Sequence, residues 1–125
     1  MSNMLIQNAT MVLPNTTVVG DLLIENGQIT SIQPGGGIAV ENEIHTVDAT
    51  GLHLLPGIID PQVHFRDPGQ PEKEDLYTGS CAAASGGVTS FLDMPNNVPS
   101  QTTLQSMHEK IATGNQRCVT NFGFF

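Results

Sequence analysis

Short apolar runs separated by turn residues fill the first 55 residues, a pattern that predicts a small β-sheet. The runs are rich in Val, Ile, Leu and Thr and read "MLIQN", "TMVL", "TVVGDLLIEN", "QITSIQ", "IHTVD" and "GLHLLPG". Asn26-Gly27, which joins the third run to the fourth, is a strong signal for a tight hairpin turn. The runs alternate only partly between apolar and polar positions. We therefore predict a β-rich domain over residues 1–55 whose sheet packs against another element.

Residues 56–125 change to the order strand, helix, strand, helix, strand. The first predicted helix is "PEKEDLYTGSCAAASGG", with Pro71 and acidic residues at its start, where the helix dipole favours carboxylates, and Gly86-Gly87 at its end. A buried strand is predicted at "VTSFLDM" and a third strand at "CVTNFGFF". Strands joined by helices imply parallel pairing with right-handed crossovers. The predicted fold class of this part is therefore α/β.

The second predicted helix lies within "SQTTLQSMHEKIATGN". Ser100, Thr102 or Thr103 is its expected cap, and Gly114 its expected end. A stripe of apolar residues at helical spacing predicts the face that packs on the sheet. The stripe consists of Leu104, Met107, Ile111 and Ala112.

The sequence stops at Phe125, within an apolar strand. A three-stranded parallel sheet ending on Phe-Gly-Phe-Phe would expose unpaired backbone groups and uncovered aromatic rings, which natural proteins avoid. We expect the sequence to be the front portion of a longer protein, truncated before its fold is complete.

Composition and charge narrow the class of protein. The chain has 125 residues and a formal net charge of −8. Its basic residues all lie in the second half, and they are Arg66, Lys73, Lys110 and Arg117. Such a balance argues against a nucleic-acid partner, because phosphate groups bind to clustered Lys and Arg. Cys81 and Cys118 lie in apolar settings without a signal peptide, so we expect reduced thiols, a cytoplasmic location and no membrane span.

The segment "GIIDPQVHFRDPG", residues 57–69, alternates apolar and polar residues. On a strand this pattern gives one apolar face and one polar face. The apolar set is Ile59, Pro61, Val63 and Phe65, and the polar set is Asp60, Gln62, His64 and Arg66. Residues two apart lie about 6.6 Å apart on one face, which allows two side chains to converge on one metal ion. Because ligands gather at the carboxyl ends of parallel strands, this segment is the candidate site.

Two segments resemble a known family. "LLPGIIDPQVHFRDPG" and "KEDLYTGSCAAASGGVTSFLDMPNNVP" are similar to the opening of a dihydroorotase, in the cyclic amidohydrolase group of the metal-dependent amidohydrolase superfamily. The resemblance covers about residues 50–100 closely. Arg66 and Met94-Pro95-Asn96 favour dihydroorotase over allantoinase or hydantoinase. The resemblance implies that residues 1–55 contribute to a composite β-sandwich and that residues 56–125 begin an incomplete TIM-type β/α barrel.

The resemblance also implies an activity and its residues. In the family, one or two zinc ions support reversible hydrolysis of dihydroorotate to N-carbamoyl-aspartate in pyrimidine biosynthesis. His64 matches a metal ligand, and Arg66 and Asn96 match the pair that binds the substrate carboxylate. Gln62 stands where the first metal histidine is expected, and a neutral amide is a weaker zinc ligand than imidazole. No catalytic residue is expected within this chain, because the family's catalytic aspartate comes late in the barrel.

Other interpretations stay open for the whole protein. Gln62 also fits a non-catalytic partner or scaffold of aspartate transcarbamoylase, and another cyclic amidohydrolase of the allantoinase or hydantoinase type is a further alternative. Exposed sheet edges allow a homo-oligomer.

The candidate residues also have simpler roles. His64 could bind a backbone carbonyl in the core, Arg66 could pair with Asp67 or Glu72, and Asn96 could be a turn residue. Asp60 is expected to orient a metal ligand, or else to form a hydrogen bond at the strand end. The remaining histidines have no metal-type spacing and are expected to be structural or exposed; they are His45, His53 and His108.

Overall fold

A computed structural model describes residues 3–41 and 43–125. The chain divides into two compact units, Met1–Pro56 and Gly57–Phe125. Among the residues described, neither helix is long and apolar enough to cross a membrane.

The first unit is a small β-sheet, as the apolar runs predict, and the sheet has five strands with mixed pairing. Its strands are β1 Met4–Leu13, β2 Thr16–Glu25, β3 Gln28–Pro34, β4 His45–Asp48 and β5 His53–Leu54. The order is β3-β2-β1-β4, and β5 also pairs with β1. The first three strands are antiparallel neighbours, whereas β4 and β5 run parallel to β1. Asn26-Gly27 forms the predicted hairpin turn, with φ of 53° and 78°.

The runs "MLIQN" and "TMVL" belong to one strand, β1, rather than to two. The pairing of β1 with β2 shifts between Ile6 and Ala9, and Asn8 in this bulge has a φ of 60°. The bulge directs the backbone N–H of Asn8 to the Oδ1 of the buried Asp21, 3.1 Å away. The Oδ2 of Asp21 accepts from the backbone N–H groups of Gly37 and Ile38. Asp21 therefore ties the bulge to the glycine-rich loop after β3.

The second unit has the predicted order strand, helix, strand, helix, strand. Its elements are β6 Ile58–Val63, α1 Leu76–Ser85, β7 Val88–Asp93, α2 Leu104–Arg117 and β8 Asn121–Phe124. The three strands form a parallel sheet in the order β6-β7-β8. Phe91 of β7 is fully buried, and its ring meets that of Phe65 edge to face at 4.7 Å between centroids. The buried apolar residues of the unit are Phe91 and Leu76, and the half-buried Phe65 packs against Phe91.

Helix α1 begins later than predicted, at Leu76 rather than at Pro71. Asp75 caps the helix, because its side chain accepts from the backbone N–H of Thr78 at 2.8 Å. The acidic segment before Asp75 therefore lies outside the helix. Gly87, with a φ of 83°, supplies the left-handed residue expected after its end.

Helix α2 is capped by Thr103, one of the three candidates, but it extends past Gly114 to Arg117. The predicted apolar stripe is the packing face only at Met107, which is half-buried. Leu104 is 80% exposed and Ile111 39% exposed, whereas Lys110 and Gly114 are buried. Gly114 lets the ring of Phe122 approach the helix backbone, since a Cβ there would lie 2.7 Å from ring carbons. A hydrophobicity pattern cannot detect a face built on glycine and lysine.

Candidate active site at the ends of the parallel strands

Strand β6 carries two polar residues of the candidate site, Asp60 and Gln62, but it ends at Val63, before His64 and Arg66. The backbone then leaves the ladder, because the N–H of Phe65 donates to Asp93 Oδ1 at 3.0 Å. Arg66 has a φ of 60°, which is not an extended conformation. The two-residue alternation therefore does not continue to Arg66, and the strand geometry that placed it beside His64 was wrong. Its substrate role stays a prediction.

Asp60 and Gln62 lie within β6, where the pairing with β7 is irregular. Pro61 between them has no N–H to donate to the ladder. Asp60 Oδ1 accepts from the backbone N–H of Gln62 at 3.0 Å. This bond is the local role considered for Asp60; its role in orienting a ligand and the weak metal role of Gln62 stay predictions.

His64 and Asn96 meet although 32 positions separate them. His64 follows β6, Asn96 follows β7, and the imidazole Nδ1 lies 2.9 Å from the amide Oδ1 of Asn96. An amide oxygen can only accept a hydrogen bond, so His64 Nδ1 carries the proton. In the neutral imidazole, the Nε2 of His64 then has a lone pair, which is the form that binds a metal. The contact joins the ends of two neighbouring parallel strands.

The ion pair proposed as the simpler role of Arg66 does not form with Asp67. Asp67 instead binds Arg117 of α2, with 2.8 Å between its Oδ2 and the guanidinium Nη1, and it accepts from the backbone N–H of Leu76. Arg117 also contacts Asp75 at 3.0 Å. The N–H of Thr78 chiefly holds the pKa of Asp75 below its usual range, and Arg117 adds to that effect. The end of α2 thus fixes the start of α1.

A buried polar cluster lies next to His64 and Asn96, and no pattern in the sequence predicted it. The ammonium of Lys110 binds Asp93 Oδ2 and Asn97 Oδ1, each at 2.7 Å. The side chains of Lys110 and Asp93 are fully buried. Two features of the sequence are nevertheless consistent with this cluster. Lys110 lies between Met107 and Gly114, on the buried side of a helix, and Asp93 ends an apolar strand. The exposed histidines His45, His53 and His108 are placed as expected.

Among residues 3–41 and 43–125, no three His, Cys, Asp or Glu side chains come together as a metal site. His64 offers one good nitrogen ligand, and Gln62 offers only a neutral amide. Zinc needs three or four protein ligands. The described residues therefore do not fit a zinc site by themselves.

A parallel β/α arrangement with polar residues at its strand ends is the arrangement with which a protein of the β/α-barrel class begins. Residues 53–125 match the model of the Amidohydrolase family. The chain belongs to this family.

Curated relatives extend the match into the first unit. The chain is 40% identical over 118 residues to a dihydroorotase of Methanosarcina acetivorans, which covers 94% of this chain and 25% of that protein. It is 43% identical over 115 residues to a dihydroorotase of Methanothermobacter thermautotrophicus, covering 89% and 26%. The chain thus spans about a quarter of the length of these relatives.

Solved structures share the fold. An L-hydantoinase (dihydropyrimidinase) from Arthrobacter aurescens matches with a TM-score of 0.89 at 27% identity, over 99% of this chain and 27% of that one. A dihydropyrimidinase from Brevibacillus agri matches with a TM-score of 0.74 at 32% identity, over 98% and 26%. The predicted resemblance and the α/β, TIM-type fold class are confirmed. Proteins of this family are generally metal-dependent.

Proposed function

We propose that this chain is part of a dihydroorotase-type enzyme that hydrolyses a cyclic amide C–N bond, converting dihydroorotate reversibly to N-carbamoyl-aspartate in pyrimidine biosynthesis. The observation that carries the proposal is the 2.9 Å contact between His64 and Asn96. It brings a potential metal ligand and a potential substrate-binding amide together at the carboxyl ends of β6 and β7, where sites of this architecture form. Identity of 40% or more to dihydroorotases supports the choice of reaction over the hydantoinase type.

Arg66 and Asn96 would bind the carboxylate of the substrate. Asn96 uses its oxygen for His64, so its amide nitrogen is the group that would donate to the substrate. The planar fork of Arg66 can bind a carboxylate through two parallel hydrogen bonds. Asp67, the nearest acid in sequence, is bound to Arg117 rather than to Arg66.

Zinc, as one or two ions, remains part of the proposal, with His64 Nε2 as a ligand and Gln62 as a weak one. When bound, such a metal would supply an activated water and polarise the amide carbonyl. The hydrogen bond from Nδ1–H to Asn96 Oδ1 favours the tautomer of neutral His64 whose Nε2 has the required lone pair. We expect the Gln62→His variant of the whole protein to contain more zinc per chain by elemental analysis. If the whole protein with Gln62 already contains a full complement of zinc that does not change in the variant, Gln62 does not weaken zinc binding.

Gln62 also supports a second candidate, a non-catalytic partner or scaffold of aspartate transcarbamoylase. A protein with this role needs the fold but not the metal. The cytoplasmic location proposed for either role agrees with the two free cysteines among the described residues.

A chimera separates the two candidates. In the Methanosarcina acetivorans dihydroorotase, the matching quarter would be replaced by this chain, and formation of N-carbamoyl-aspartate would be measured. The enzyme candidate predicts turnover that falls about tenfold or more in kcat/KM with Asn96→Ala or Arg66→Lys, because each removes a hydrogen bond to a charged group. His108→Ala, at an exposed position, is the matched control.

The results have distinct readings. A folded chimera that is inactive until Gln62→His is introduced supports the scaffold role. An active chimera that is indifferent to Asn96→Ala and Arg66→Lys contradicts the proposed site. The 125-residue chain alone is expected to give no turnover, and hydrolysis by it at enzymatic rates would contradict the view that most of the site lies elsewhere.

A further inference from the structure

Lys110 is a charged side chain with no exposed surface. A buried ammonium is strongly unfavourable unless it is paired and hydrogen-bonded. Its partners are Asp93 and Asn97, each at 2.7 Å, and the ring of Phe124, whose centroid lies 4.5 Å from the ammonium. Lys110 therefore joins α2 to the ends of β7 and β8.

Each polar partner of Lys110 is linked to a candidate site residue, either as its neighbour in the chain or through a hydrogen bond to that neighbour. Asn97 directly follows Asn96 in the chain. Asp93 uses its second oxygen, Oδ1, to accept the backbone N–H of Phe65, which directly follows His64. One ammonium thus holds both segments that carry the contact between His64 and Asn96.

We propose that Lys110 is a positioning residue, which sets the spacing between His64 and Asn96 and thereby keeps the proton of His64 on Nδ1. The inference rests on the proposed function for its relevance to catalysis, but its geometry can be tested without turnover. Lys110 does not touch the substrate in this proposal. It acts through Asp93 on the His64 segment and through Asn97 on the Asn96 segment.

The tautomer of His64 is the direct readout. A neutral histidine side chain free in water prefers the proton on Nε2, whereas the contact with Asn96 requires it on Nδ1. Two-bond proton–nitrogen NMR spectra of the metal-free 125-residue chain, at a pH where imidazole is neutral, distinguish these forms. We expect the Nδ1–H form in the unsubstituted chain, and a shift toward Nε2–H in Lys110→Met. Lys73→Met, at an exposed lysine, should leave the tautomer unchanged.

Lys110→Met leaves Asp93 buried and unpaired, so it could fail to fold. The double variant Lys110→Met/Asp93→Asn removes that charge and keeps an oxygen for the N–H of Phe65. A folded variant of either kind that keeps His64 in the Nδ1–H form would overturn the proposal. The unsubstituted chain gives an independent check: the amine protons of Lys110 should exchange slowly and show cross-peaks to the ring of Phe124. Rapid exchange without such cross-peaks would also overturn it.

Activity in the chimera separates this inference from the proposed function. We expect the double variant to lower kcat/KM at least tenfold, with Lys73→Met unchanged. A shifted tautomer with unchanged turnover would refute the use of His64 and Asn96 in catalysis while the structural role of Lys110 stands. A folded variant whose His64 tautomer does not shift would refute the positioning role of Lys110, whatever its activity.

Discussion

Asp21 offers the sharpest test of how the first unit is held together. Its carboxylate is 2% exposed and accepts three backbone N–H groups. Oδ1 takes the N–H of Asn8 at 3.1 Å, and Oδ2 takes those of Gly37 at 2.7 Å and Ile38 at 3.2 Å. The Asp21→Asn variant keeps the shape of the side chain but turns one acceptor oxygen into an NH2 donor.

The size of the effect follows from these bonds. Either orientation of the new amide turns a donor toward at least one backbone N–H, and a buried N–H without an acceptor costs about 1–3 kcal/mol. The remaining bonds lose the extra strength given by a charged acceptor. We therefore expect Asp21→Asn to lower the free energy of unfolding by about 2–4 kcal/mol at neutral pH.

Urea unfolding followed by circular dichroism measures this loss, and amide hydrogen exchange at Gly37 and Ile38 locates it. Asp48→Asn is the matched control, since Asp48 also accepts several hydrogen bonds but is exposed. The control should lose clearly less stability. A loss below about 0.5 kcal/mol in Asp21→Asn, the usual range for surface substitutions, would refute the role given to the buried carboxylate.

Acidity provides a second test of the same residue. The N–H of Asn8 is the main cause that holds the pKa of Asp21 below its usual value of 3.8; burial acts against it, and the N–H groups of Ile38 and Gly37 add to the lowering. A carboxyl group whose pKa is lower in the folded state stabilises the protein at pH values above its unfolded-state pKa. This contribution is lost as the pH falls through the folded-state pKa. The stability gap between the unsubstituted chain and Asp21→Asn should therefore narrow below about pH 4. A gap that stays constant or widens on acidification would contradict the assignment.

Three further predictions concern the second unit. Gly114→Ala should destabilise the chain by about 1–3 kcal/mol in thermal unfolding because the new methyl group meets the ring of Phe122; Gly86→Ala, where a Cβ has ordinary contacts, is its control, and equal effects would contradict the tight packing. Arg117→Gln should cost at most about 1 kcal/mol, since the side chain is 39% exposed, and the difference in melting temperature should shrink with added salt; a salt-independent difference would show that charge is not the cause. Burial raises the pKa of the Cys118 thiol to about 11, so alkylation by iodoacetamide should be slow near pH 8 and accelerate up to about pH 11; a rate near pH 8 equal to that of the urea-unfolded chain would contradict this.

The order of elements was predictable because it depends on local signals. Asn26-Gly27 marked the hairpin, and the glycines after Ser85 marked the end of α1. The start of α1 was misplaced because acidic residues favour any helix start, whereas the hydrogen bond that the N–H of Thr78 donates to Asp75 selects one. The chain pattern alone does not separate a capping aspartate from its charged neighbours.

The candidate site was predictable in part. His64 and Asn96 were identified through the resemblance, but no local pattern states that residues 32 apart share a hydrogen bond. The predicted alternation of side chains does not continue to Arg66, because the N–H of Phe65 donates to the side chain of Asp93 instead of to a neighbouring strand. That bond depends on tertiary structure, as does the burial of Lys110. Long-range polar contacts of this kind leave little trace in hydrophobic periodicity.

The placement of Lys110 has a consequence for protein engineering. The segments after β6 and β7 share one anchor on α2, so neither can be exchanged or redesigned independently. A loop transplanted into this chain would need an acceptor at the depth of Asp93 or Asn97, or else the helix would have to be transplanted with it. Natural variation in these two segments should accordingly be coupled to the residue at position 110.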